Sequence, residues 1–442
     1  MRSQLPKVLH TLAGRPLIQH VLGAAAELSA DRIHVVVGHR AAEVRAALPE
    51  DARIVCVDQV EQRGTGHAVL QALPGVDAEA RVLVLFGDVP LVQAETLTAT
   101  LDAAGDGLAI ITAQPADPTG LGRIVRDQAG SIVAIVEERD ASDAQRAIGE
   151  INSGILAAPA GLLAELLAGL GDANEQNEVY LTDVVAAAVE RDVAVVGLAA
   201  ASELEVCGVN DRRQLARLER EYQRRLADQL LLGGTSLMDP ERIDIRGTLR
   251  AGIDCVIDVN TVFEGEVMLG DRVAIGPNCL IRDALISDDC RIEANTVIDG
   301  AVLEPGCQVG PFARLRPDTV LAAGVKIGNF VETKKTRLGP GTKSNHFAYL
   351  GDTTTGADCN IGAGTIMCNY DGINKHPTTL GEGVFIGSNA TLVAPVEVGD
   401  GGYVAAGSTV TTRVPSRQLA VGRARQRNID GWKPPARRKP AS

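Results

Sequence analysis

Two sets of residues in this 442-residue chain have side chains suited to chemistry. In the C-terminal half, Asn345-His346 is accompanied by the donors Arg316, Lys334 and Tyr349 and by the carboxylate Glu332, and a polar run follows at Asn360-Ile-Gly-Ala363 and Asn369-Tyr370-Asp-Gly. An imidazole ordinarily titrates near pH ~6.5, so it can take a proton from an attacking amine at neutral pH, and a carboxylate such as Glu332 can orient it. Arg316, Lys334 and Tyr349 are matched to a sugar phosphate, the guanidinium through a bidentate fork. A lone histidine would read as a satisfied surface residue; its company makes the catalytic reading the stronger one. In the N-terminal half, Phe86-Gly87-Asp88-Val89-Pro90 directly follows an apolar run. Asp88 therefore emerges at the carboxyl edge of a sheet, where α/β folds bind ligands, and can hold Mg²⁺ with its phosphates. Aspartate is also an ordinary turn residue, and the functional reading again leans on neighbours. Leu5-Pro6-Lys7 offers a cation, and Gly64-Thr65-Gly66-His67 and Thr119-Gly-Leu-Gly122 are loops that a ligand can approach closely. Glu137, Glu150-Ile-Asn152 and Gly208-Val-Asn210 add polar groups at strand ends.

The elements that must position these groups differ between the halves. Leu380, Ile386, Leu392, Val398 and Val404 are six apart, with Val384, Ala390, Val396, Gly402 and Ser408 four places after each. A period of six belongs neither to a helix nor to an ordinary strand and indicates a solenoid of parallel strands, here a left-handed β-helix with three hexads per triangular coil. The register also runs through Ile257, Phe263, Leu269, Ile275 and Ile281. It slips by one residue to Ile286, Ile292 and Ile298, then again to Leu303, Val309, Leu315, Leu321 and Ile327. The solenoid is expected from near Asp244 to near Pro415, broken between Ile366 and Thr379 by a loop without register. Such a loop on a rigid scaffold is where ligand groups are placed. Up to about residue 210, apolar runs beginning at Ile33, Arg53, Val82, Leu108 and Ile132 alternate with helical stretches at Leu17 to Leu28 and Tyr180 to Arg191, the pattern of an α/β sheet. Charged residues around a Leu215, Leu218, Tyr222, Leu226, Leu230 stripe make a linker helix, ended by Gly233-Gly234. The expected domains are residues 1–211, a linker over 212–233, and 234–442.

Composition narrows the functional classes. A formal charge of −13 argues against nucleic acid as the main partner. No apolar run is long enough for a membrane span, and no signal-peptide core follows the N-terminus, so a cytoplasmic protein is expected. None of the eight cysteines falls in a C-x-x-C spacing; Cys255, Cys279, Cys290, Cys307 and Cys359 occupy small inward places of hexads, where a thiol packs as a compact hydrophobe. The tail is basic. Arg437, Arg438 and Lys439 beside Pro434, Pro435 and Pro440 read as solvated, whereas Arg423 invites an anionic ligand.

The N-terminal motifs resemble the sugar-phosphate nucleotidyltransferases. Together with the second half, their order is similar to the bacterial bifunctional enzymes that make UDP-N-acetylglucosamine for envelope precursors, with a Rossmann-like mixed sheet followed by a hexapeptide-repeat β-helix. The resemblance implies uridylyl transfer from UTP to N-acetylglucosamine 1-phosphate, releasing pyrophosphate. Asp88 and Asn210 would ligate Mg²⁺ and Lys7 contact phosphate. Gln59, Gly64 and Thr65 would receive uracil, Gly122, Glu137 and Asn152 the sugar, with Phe86 and Gly87 beside them. It further implies acetyl transfer from acetyl-CoA to glucosamine 1-phosphate, with His346 as general base. Arg316, Lys334, Tyr349, Asn360, Asn369 and Tyr370 would contact the sugar phosphate or support transfer, and Ala363, Ser388, Ala406 and Arg423 would line the acetyl-CoA site. A homotrimer is expected.

One departure stands out. The family opens with a strand running into Leu-Ala-Ala-Gly-x-Gly-Thr-Arg-Met, and this chain begins where that methionine would stand. Losing a central strand would leave backbone groups unpaired inside the sheet. Two readings follow: a bifunctional enzyme whose start lies upstream, or an acetyltransferase carrying an inactive first domain. A non-catalytic assembly protein would not need His346, Arg316 and Asn369-Tyr370 together.

Overall fold

The computed structural model describes residues 1–171 and 178–433. The basic tail residues Arg437, Arg438 and Lys439 and their prolines lie outside that range. The chain divides into two compact units, Met1–Leu226 and Ala227–Ser442.

In the first unit, near-continuous apolar runs become strands that helices cover. These strands are β1 (Ile33–Val37), β2 (Ile54–Asp58), β3 (Arg81–Val84), β4 (Leu108–Ala113), β5 (Arg123–Arg126), β6 (Ile132–Val136), β7 (Ile151–Pro159) and β8 (Val195–Ala199). Strand β7 is the hub of a mixed sheet, antiparallel to β3, β4 and β5, while β8 runs parallel to β4 and β6 antiparallel to β5. Every residue of β4 is buried, as its unbroken apolar run requires. Strands β1 and β2 form a separate parallel pair, and among the described residues β1 and β3 each have a single strand partner. A helix over Arg212–Leu232 lays Leu218, fully buried, with Leu215 and Tyr222 against Leu12, Leu17 and Leu91. Its end closes through Gly233 N–H on the Gln229 carbonyl and Thr235 N–H on that of Leu230, with Gly234 at φ +93°.

The second unit is a β-helix of short parallel strands. One face is an eleven-stranded sheet, and a sixteen-stranded sheet supplies the other two. The aliphatic hexad residues from Ile257 to Ile327 and from Leu380 to Val404 are buried inside it, as are Cys255, Cys279, Cys290, Cys307 and Cys359. All eight cysteines are free thiols. Between those runs the interior changes character, because Thr333, Ser344 and Thr355 occupy aliphatic places and are also buried. Their hydroxyl neighbourhood bonds to the coil backbone: Thr336 donates to the Leu350 carbonyl at 2.7 Å and Thr342 to that of Gly356 at 3.1 Å.

Three boundaries need correction. The first coil begins at Ser236–Leu237, paired with Val256–Ile257, rather than near Asp244, and the last strand is Leu419–Ala420 rather than one ending near Pro415. The excursion is narrower than expected. Ile366–Cys368 and Thr378–Leu380 pair in register, with Met367 filling an aliphatic place, so only the segment between Cys368 and Thr378 leaves the rod. No helix among the described residues is long and apolar enough to cross a membrane.

Candidate active sites

On a stacked rod, residues one coil apart become neighbours, and a site is read along columns. Strands Lys326–Asn329 and Lys343–His346 pair so that Asn329 lies beside His346. The backbone ladder continues from there: the amides of Gly364, Asn389 and Gly407 donate to the carbonyls of His346, Ala363 and Ser388 at 3.4, 2.7 and 2.8 Å. His346, Ala363, Ser388 and Ala406 therefore form one outward column at steps of about 4.8 Å. The imidazole stands at one end of a strip of short side chains. At the other end Arg423 donates from Nη1 to the Ala406 carbonyl. Asn360 belongs to the adjoining column, paired with Lys343 and Phe385.

The next face carries the anion-binding candidates. Lys334 pairs with Gly351 and Glu332 with Tyr349, while Arg316 donates to the Glu332 carboxylate at 2.8 Å. Gly351 is bare for a reason. A β-carbon there would lie 2.6 Å from both Asn369 Nδ2 and the Tyr349 hydroxyl, so its absence is what allows those two groups to converge. Asn369 is buried and donates to the Asp352 carboxylate. Tyr370 opens the excursion and bridges back to Lys375. The excursion is folded by Asp371, whose carboxylate accepts from the amides of Ile373 and Asn374 at 2.8 and 2.6 Å and from His376 Nε2 at 2.7 Å. Those bonds hold its pKa at about 2. A cavity of about 440 Å³ on this face is lined by Arg282, Asp299, Arg314 and Arg316.

Two features depart from the sequence reading. Lys375, which gave no signal of its own in the sequence, bridges to Tyr370 across the excursion, and the neighbouring positive charge of Lys334 pushes its pKa down. Lys375 lies in the stretch without periodicity, so only its membership of the excursion pointed to it. Glu332, expected to orient the imidazole, instead holds Arg316 on the neighbouring face. His346 Nδ1 contacts Asn329 Oδ1 at 2.7 Å.

In the first unit, loops at strand ends do the gathering. Asp88 follows β3, and the Val209 amide donates to its carbonyl at 3.0 Å, drawing in the loop that carries Asn210. Lys7 Nζ pairs with the Asp88 carboxylate and donates to Asn210 Oδ1 at 2.8 Å. One cation thus already bridges the two expected metal ligands. Both are oxygen donors, and so few protein oxygens fit Mg²⁺, which keeps most of its water. Gly87 packs toward Val8. Nearby, Gln59 Nε2 donates to the Gly64 carbonyl at 3.1 Å, and Thr65 Oγ1 accepts from the Leu181 amide at 3.1 Å. Gly64, at φ +100°, sits where a β-carbon would meet the Val179 carbonyl at 2.6 Å. A cavity of about 200 Å³ brings together Thr65, Phe86, Gly122, Glu137, Asn152 and Thr182. Desolvation in this cavity raises the Glu137 pKa. A 3.1 Å bond from Thr182 opposes the shift, and the charges of Asp183 and Asp140 reinforce it. Thr182 had no signal in sequence beyond its place at the start of the stretch expected to be helical from Tyr180; the helix itself begins at Asp183.

Comparison with known proteins matches the same two halves. Residues 1–180 match the MobA-like NTP transferase domain, residues 246–345 the GMPPB C-terminal domain, and residues 377–412 the bacterial transferase hexapeptide family. The bifunctional protein GlmU of Marinobacter nauticus is 53% identical over 436 residues, covering 98% of this chain and 96% of that protein. The chain belongs to the bifunctional GlmU family. The GlmU proteins of Alkalilimnicola ehrlichii and Stutzerimonas stutzeri are 52% and 53% identical, over 99% of this chain and 94% and 97% of their own lengths. The chain is thus an enzyme of UDP-N-acetylglucosamine synthesis, joining a GlmU nucleotidyltransferase domain to a hexapeptide acetyltransferase domain. Nothing in these comparisons favours an acetyltransferase alone.

Proposed function

We propose that the two sites divide the work of GlmU as follows. In the β-helix, the amine of glucosamine 1-phosphate attacks the thioester carbonyl of acetyl-CoA. The C–N bond forms, the C–S bond breaks, and His346 takes the amine proton and returns it to the departing thiolate. Arg316, Lys334 and Lys375 receive the sugar phosphate, with Tyr349, Asn369 and Tyr370 around the sugar. Asn360 and the strip Ala363, Ser388 and Ala406 accept the acyl arm, and Arg423 the anionic end of the donor. The observation that carries this reading is the single column from His346 to Ala406, whose side chains are too short to block an extended thioester.

In the first unit, the phosphate of N-acetylglucosamine 1-phosphate displaces pyrophosphate from the α-phosphate of UTP. Asp88 and Asn210 would hold Mg²⁺, which when bound neutralises phosphate charge. Lys7 adds a cation, Gln59, Gly64 and Thr65 take the base, and Gly122, Glu137 and Asn152 take the sugar beside Phe86 and Gly87. The enzyme works in the cytoplasm, in keeping with its free thiols. It assembles as a homotrimer. Phe312, Phe330 and Phe347 support this assembly, since they form an exposed stacked ladder with centroids 5.4 and 5.0 Å apart and each holds a positive φ. Sedimentation equilibrium giving a monomer would remove the trimer. Separate assays test the chemistry, one with glucosamine 1-phosphate and acetyl-CoA, the other with N-acetylglucosamine 1-phosphate, UTP and Mg²⁺. Turnover is expected in both; turnover in the first alone would leave only the acetyltransferase.

A further inference from the structure

We infer that Asn329 is the positioning residue of acetyl transfer, fixing the tautomer and direction of His346. The inference rests on the reading of His346 as the base and adds the residue through which it is aimed. Three observations carry it. The parallel register sets Asn329 directly beside His346 on the adjoining coil. The contact is specific, Asn329 Oδ1 to His346 Nδ1 at 2.7 Å. Neighbouring backbone also fixes Asn329, because Gly328 lies so close to the next coil that a β-carbon would fall 2.0 Å from the Asn345 carbonyl oxygen.

The chemistry follows from the atom that faces the ring. A carboxamide oxygen can only accept a hydrogen bond, so Nδ1 must carry the proton in the neutral imidazole. Nε2 is then left with its lone pair, free to receive the amine proton as the C–N bond forms. An imidazole on an exposed face would otherwise divide its time between tautomers and ring orientations. The partner confines it to the productive one, as a hydrogen bond to one ring nitrogen decides the state of the other. The partner orients the ring through its accepting oxygen alone, a role that a carboxylate oxygen at the same place can also fill. Glu332, the other candidate, is already engaged by Arg316.

The test is steady-state acetyl transfer by the full chain with glucosamine 1-phosphate and acetyl-CoA, for Asn329→Ala, Asn329→Asp, Glu332→Gln and His346→Ala. Asn329→Ala should lower kcat by about 10- to 100-fold, less than the roughly 10²- to 10⁴-fold that a general base supplies, with both KM values within about twofold. Asn329→Asp keeps an accepting oxygen and should recover at least tenfold of that loss. Glu332→Gln, which loosens Arg316, should raise KM for the sugar phosphate and leave kcat within about threefold. Equal damage from Asn329→Asp and Asn329→Ala would overturn the inference, as would a loss confined to KM or unchanged kcat in Asn329→Ala. Full turnover by His346→Ala would instead overturn the underlying assignment of the base. Uridylyl transfer measured on each preparation reports folding of the first unit, and the circular dichroism melt reports the β-helix.

Discussion

The two sites gather their residues in different ways. In the β-helix, the candidate residues Asn329, His346, Ala363, Ser388 and Ala406 are one coil apart and share a column, brought side by side by the stacking of the strands. In the α/β unit, Lys7 comes from a short 3-10 helix and Asp88 and Asn210 from two distant loops, and their meeting depends on side-chain bonds and one backbone bond between those loops. A column site is thus built into the fold, whereas a loop site must be held by its own contacts. The difference predicts how each responds when a single group is changed.

The largest effect is expected where one carboxylate serves the loop site. Asp88→Asn removes the charge that pairs with Lys7 and that, in the proposed site, would also hold a divalent cation. It should lower uridylyl transfer by about 10²- to 10³-fold, measured as pyrophosphate release at saturating Mg²⁺, while acetyl transfer stays unchanged. A residual rate near wild type would mean that the metal is held elsewhere. Next is a change in the column site that introduces bulk rather than removing charge. Gly351→Ala would drive a methyl group into the space where Asn369 and Tyr349 converge. It should reduce kcat/KM for glucosamine 1-phosphate by about 10-fold or more, with KM for acetyl-CoA little changed; equal effects on both substrates would place the sugar elsewhere.

The smallest expected effect concerns stability. Burial raises the Glu137 pKa above its unfolded value of 4.5. Its contribution to stability is therefore full below that value and is lost as pH rises through the raised one. Glu137→Gln should melt about 1–3 °C higher than the parent at pH 7.5, and the difference should fade as the buffer approaches pH 4, while KM for N-acetylglucosamine 1-phosphate rises. A lower melting temperature at neutral pH would show that the carboxylate is stabilising as an anion.

How much of this could be read from the chain follows from what filled the interior. Where the inward residues are aliphatic, from Ile257 to Ile327 and from Leu380 to Val404, the hexads can be counted directly and the coils follow. Across the coils around His346, Thr333, Ser344 and Thr355 take those places, so the period fades where the candidate site lies. Pairing Asn329 with His346 requires aligning Ile327 with Ser344, and a serine in an aliphatic place hides that alignment. Proximity in sequence suggests Glu332 as a partner of the imidazole, because it does not reveal that a corner at Phe330 separates the two faces. In the first unit, apolar runs located the strands and put Asp88 at a strand end. Thr182 and the Lys7 bridge arise from loop packing, which leaves no periodic trace.

That the two proposed activities reside in separate units of one chain is tested most directly by a crossed measurement. Asp88→Asn and His346→Ala are each assayed for uridylyl and for acetyl transfer under identical conditions. A double dissociation is expected: His346→Ala loses acetyl transfer by about 10²- to 10⁴-fold and keeps uridylyl transfer, and Asp88→Asn does the reverse. Loss of both activities in either variant, or full acetyl transfer by His346→Ala, would contradict it.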